Sequence, residues 1–62
     1  MKMKNISDIK TKEEARQIAI EWQKWQSTKS MFYFELYQWS EYFFKLAEKF
    51  NLIYEFKENG II

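Results

Sequence analysis

Histidine and cysteine, the side chains that most often carry proton transfer and nucleophilic attack, are absent from this sequence, which leaves carboxylates for such chemistry. Glu13, Glu14 and Glu21 stand among polar residues and read as helix-capping or solvated groups. Glu35 is the one carboxylate in an aromatic setting, Met31-Phe32-Tyr33-Phe34-Glu35-Leu36-Tyr37. Burial there would raise its pKa and suit it to acid–base work, although a plain surface glutamate is the simpler reading. With Gly60 as the only glycine, no glycine-rich phosphate loop can be built, and without His or Cys the usual zinc ligand sets are missing. The reading is therefore non-enzymatic, with no catalytic residue, cofactor or metal ligand assigned.

The remaining residues with chemistry to offer are aromatic, at 21 % of the chain. Trp22, Trp25 and Trp39 could stack on single-stranded bases beside a first half rich in lysine, which makes single-stranded nucleic-acid binding the alternative function. Stacking needs exposed rings, however, and the spacing of these tryptophans assigns them to internal helix faces. Reading of duplex DNA by a helix-turn-helix is weaker still, because the second helix is aromatic rather than rich in Arg, Asn and Gln.

The elements that position these side chains are helices. Proline is absent and charged residues make up 31 % of a chain that is 47 % hydrophobic, a balance that favours a few uninterrupted amphipathic helices over either disorder or a β-fold. At 62 residues the chain forms at most one domain, of a size where burial is barely sufficient and, without disulfides, good packing or self-association must help. Residues 1–10 read as a flexible lead-in in which Ile9 can pack on the first helix. Residues 11–62 read as a single helical domain.

Thr11-Lys12-Glu13-Glu14 has the form of a capping box and starts a helix over about 12–27, with Ala15, Ile18, Ala19, Trp22 and Trp25 on one face. The polar run Gln26 to Ser30 is the turn, and Ser30 is the expected cap of a second helix over about 31–50. There Phe32, Leu36, Trp39, Phe43, Leu46 and Phe50 alternate spacings of four and three, forming a seam toward the first helix. Asn51 ends this helix through the left-handed conformation, and a short third helix over about 52–58 is closed by Asn59-Gly60. The expected fold is all-α: an antiparallel helical hairpin with a short C-terminal helix or extension, completed as a helical-bundle homodimer.

The second helix carries more apolar surface than one partner helix covers. Tyr33, Tyr37 and Phe44 flank the seam and Tyr42 lies beyond them. At about 25 cal/mol per Å², leaving several such rings in water forgoes much of a small domain's stability. These four residues are the expected protein interface, for a second copy, another protein, or both. The net charge of +1 gives no bulk attraction to nucleic acid or anionic lipid, and no segment reaches the roughly 18 apolar residues of a membrane span, so a cytoplasmic protein is expected.

The segments TKEEARQIAIEWQKW, ELYQWSEYFFKLAEKFNL and EFKENGII resemble a class of short uncharacterised helical proteins from low-GC Gram-positive bacteria and their phages or mobile elements. The shared pattern is E-W-Q-x-W at Glu21 to Trp25, E-L-x-x-W at Glu35 to Trp39 and F-K-E-N-G-I-I at Phe56 to Ile62. Members of that class more often have a small residue where Phe34 stands and glycine where Asn51 stands. The resemblance implies no activity. It does imply an accessory role for a phage or mobile element, including binding and inhibition of a host protein.

Overall fold

Thr11 opens the first helix as its sequence requires. Its extended backbone turns the hydroxyl toward Glu14, whose N–H donates to Thr11 Oγ1 at 3.1 Å, and Glu13 and Glu14 occupy the positive end of the helix dipole. The return half of the expected capping box lands one residue earlier: Glu14 Oε1 accepts from the Lys10 N–H at 3.1 Å rather than from that of Thr11. The computed structural model, which describes residues 2–62, continues this helix, α1, over Lys12–Gln26. It is followed by α2 over Tyr33–Phe50 and α3 over Ile53–Glu58. A 3-10 turn at Ile6–Asp8 precedes them, and there is no strand among the described residues. The fold is all-helical, with two long helices packed on one another and the short third against α2.

Three of the expected helix boundaries shift, one for a chemical reason. Ser30 does not cap α2; the chain stays extended through Phe32, whose N–H donates to Glu35 Oε1 at 3.3 Å. Glu35 thus takes the reciprocal half of a capping box, with no hydroxyl at the cap to supply the other half. Its carboxylate serves the start of the helix.

The ends of α2 and α3 repeat one device. Asn51 sits in the left-handed region at φ 58, and the N–H groups of Asn51 and Leu52 both donate to the Ala47 carbonyl. Gly60, at φ 73, does the same for α3: its N–H donates to Lys57 O and that of Ile61 to Phe56 O. In both cases the following aliphatic residue, Leu52 or Ile61, is buried, so each helix stop is also a hydrophobic anchor.

The core centres on Phe43. Its ring lies 5.2 Å from Trp22, 5.8 Å from Trp39, 5.1 Å from Tyr42 and 6.1 Å from Phe56, the last two edge-on. Tilted and edge-on pairs of this kind add roughly 0.5–1.5 kcal/mol each beyond the area they bury. Ala15 and Ala19, both fully buried, leave room on α1 for these rings, and Leu46, Ala47, Leu52 and Phe56 close the remaining sides.

Residues 2–10, expected as a lead-in, lie against α1 and α2. Ile9 is entirely buried in the core, and Lys49 Nζ donates to the carbonyls of Ile6 and Ile9 at 2.9 and 2.8 Å. Lys4 pairs with Glu14 at 2.8 Å, and Arg16 holds Glu55 of α3 through two hydrogen bonds of 2.7 and 3.1 Å. Gln23 adds a bond to the Asn59 carbonyl, tying the far end of α3 to α1. No helix among the described residues is long and apolar enough to cross a membrane.

Candidate interaction surface

The seam expected along α2 breaks at Trp39. Trp25, the last ring of α1, meets Trp39 at 6.0 Å, and the rings that precede Trp39 on α2 have no helix opposite them. Phe32 and Leu36, expected in the core, are therefore exposed, at 71 and 39 %. The physical reason is length. The polar end of α1 at Gln26 leaves no apolar residue to face them.

Tyr33, Tyr37 and Phe44, three of the four residues expected at an interface, are on the surface, at 85, 58 and 46 % exposure. Phe34 joins them, stacked nearly parallel on Phe32 with ring centroids 5.9 Å apart. Tyr42 is the exception. It is buried between Trp39 and Phe43, and its hydroxyl donates to the Lys4 carbonyl at 2.6 Å. Burial pushes its pKa above the ordinary tyrosine value, and it belongs to the core rather than to a free surface. The sequence reading misplaced Tyr42 because it left residues 2–10 outside the domain, and those residues are what cover it.

Around Tyr37 the surface is furrowed. A groove of about 390 Å³ runs between Met3–Ile6 and α2, and a second of about 340 Å³ runs along α2 past Ser40, Phe44 and Glu48. Tyr37, Glu41 and Lys45 line both. The Tyr37 hydroxyl donates to Glu41 Oε1 at 3.1 Å, and that bond to a carboxylate holds the phenol pKa above its ordinary value. The ring stands at the edge of both grooves. Phe32 and Leu36 are the surface residues that the spacing assigns to the core instead, and Phe34, part of the apolar surplus of α2, joins the expected interface residues on the surface. The signal was present in the mismatch between a 15-residue α1 ending in polar residues and an 18-residue α2 that starts with aromatic ones.

The other chemistry considered from the sequence is differently placed. Trp22 and Trp39 are in the core and Trp25 is half-buried against Trp39, so two of the three indoles are closed to stacking. Two basic groups of the first half are already engaged by carboxylates, Lys4 by Glu14 and Arg16 by Glu13 and Glu55. The Trp22 indole N–H is buried without a hydrogen-bond partner among the described residues. No group of three or more carboxylates able to hold a metal ion forms among the described residues. No protein-family model matches the chain, and neither a curated protein nor a solved structure matches it.

Proposed function

We propose that this chain is a non-enzymatic protein-interaction module that docks through the aromatic face of α2, with Tyr33, Tyr37 and Phe44 as anchors and Phe32, Phe34 and Leu36 beside them. One observation carries the reading: six large apolar side chains of a single helix and its cap stand in solvent, although the same helix also supplies the centre of a well-packed core. Rigid aromatic side chains on a regular element lose little entropy on binding, which is why such residues dominate interface hot spots. The scaffold is an antiparallel hairpin. Supporting this, Trp25 meets Trp39 while the earlier Trp22 meets the later Phe43. The open face is completed by a homodimer, by another protein, or by both in turn, and the accessory role implied by the resemblance to phage and mobile-element proteins makes a host protein a natural target.

Affinity capture from a Gram-positive bacterial lysate tests the docking reading. A stoichiometric partner retained by the wild-type chain and lost on Tyr37→Ala or Phe44→Ala, with helicity unchanged by circular dichroism, is the expected outcome. Retention by both variants would place the docking surface elsewhere and overturn the assignment of these residues.

A further inference from the structure

The exposed stripe of α2 has an internal symmetry that selects one kind of occupant. Tyr33, Tyr37, Ser40 and Phe44 are separated by four, three and four residues, and all four are exposed. A 4-3-4 spacing reads the same in both directions along a helix. It is also the spacing of a coiled-coil seam, which keeps one narrow face toward a partner. Two copies of this stripe laid antiparallel place Tyr33 opposite Phe44 of the partner subunit at both ends. In the middle they place Tyr37 opposite Ser40 of the partner subunit, twice. Large side chains then meet at the ends, and in the centre each tyrosine ring enters the space left by a serine, the large-against-small complementarity that close packing requires.

The area agrees. At about 200 Å² per aromatic side chain, the exposed fractions of Tyr33, Tyr37 and Phe44 on the stripe amount to roughly 400 Å², and Phe32 and Phe34, exposed beside its first turn, bring the aromatic surface to roughly 600 Å². That is as large as the largest apolar patch of an ordinary monomer and approaches the roughly 800 Å² per partner of a stable interface. The groove beside the stripe, bounded by Ser40 and Phe44, gives a partner helix a seat. A net charge of only +1 sets little repulsion against self-association.

We infer that the occupant of this face is a second copy of the same chain, docked antiparallel along α2 with its two-fold axis between Gln38 and Trp39. This rests on the docking reading above and names its partner. It assigns Ser40, which sequence analysis passed over, the role of the small residue at the centre of the interface.

The absence of native cysteine makes the register directly readable. Tyr33→Cys and Phe44→Cys chains are mixed and oxidised mildly, and the disulfides identified by mass spectrometry. The antiparallel register yields the mixed 33–44 disulfide. It disfavours the 33–33 and 44–44 products, because eleven residues of helix separate those positions by about 16 Å along the axis, too far for a disulfide. Predominant 33–33 and 44–44 products would overturn the register. Sedimentation of the wild-type chain and of Ser40→Arg provides the second reading. The wild type should dimerise, and the substitution should weaken the dimer tenfold or more with unchanged helicity, since Ser40 is exposed in the single chain. Equal dimerisation of both would overturn the central role of Ser40. A wild-type chain that stays monomeric would overturn the second copy as occupant while leaving docking to a host protein to the capture experiment with Tyr37→Ala.

Discussion

Glu55 illustrates how a surface carboxylate can matter to a small fold. The Arg16 guanidinium, hydrogen-bonded to both of its oxygens, holds its pKa below the ordinary value of 4.5, and Lys4 does the same to Glu14. A carboxyl whose folded pKa is depressed contributes stability that is present above its ordinary pKa and lost as pH falls through its folded value. Urea unfolding should therefore show stability declining in acid from about pH 4.5 downward, and Glu55→Gln should lower stability at neutral pH while making that decline shallower. An unchanged acid slope would remove Glu55 from the account. Both groups are partly exposed, so added salt should weaken the effect. Tyr42 offers a second test. Tyr42→Phe removes the hydroxyl that holds the Lys4 carbonyl, at a cost of about 1 kcal/mol, and should speed amide exchange in residues 2–8 more than in α1 or α2.

The ends of α2 and α3 are each set by an explicit chemical signal. Asn51 and Gly60 both adopt the left-handed conformation, but only glycine does so without steric cost. Asn51→Ala should destabilise by about 1 kcal/mol, whereas Asn51→Gly should be neutral or slightly stabilising, as chemical denaturation of the three proteins would show. Equal losses from Ala and Gly would mean that the asparagine side chain, rather than its backbone conformation, terminates α2. At the other end of α2 the signal is weaker. Glu35 reaches back to the Phe32 N–H, but no hydroxyl caps the helix, which starts two residues later than the sequence suggests. The apolar residues of that first turn have no α1 residue to meet, so the same element is anchored at its C-terminal half and open at its N-terminal half.

For the whole molecule, the consequential contact is Ile9. Complete burial of one isoleucine makes residues 2–10 part of the domain, and Lys49 secures the segment by binding two of its carbonyls. Ile9→Ala should cost about 2 kcal/mol or more by the usual measure of a deleted buried side chain, a large share of the stability available to 62 residues. Thermal unfolding followed by tryptophan fluorescence would read this out. A loss below about 0.5 kcal/mol would mean that the segment is a dispensable tail. The cover it provides is local: it closes the Tyr42 side of α2 and leaves the side bearing Tyr37, Ser40 and Phe44 open.

The helices themselves were legible in the residues. The Thr11 hydroxyl cap, the heptad run from Trp39 to Phe50, the helix stops at Asn51 and Gly60 and the small Ala15 and Ala19 all act over three or four residues, a range within which backbone chemistry decides the outcome. What periodicity could not decide was coverage. It marks which side chains share a face of a helix, but whether that face meets another element depends on where each neighbour ends and what the termini do. For that reason the spacing placed Phe32 and Leu36 in the core, where α1 is too short to meet them, and Tyr42 on the surface, where residues 2–10 bury it. Only the tertiary structure could draw the line between the buried and the open halves of α2, because burial is a property of the whole set of packed elements and not of any one of them.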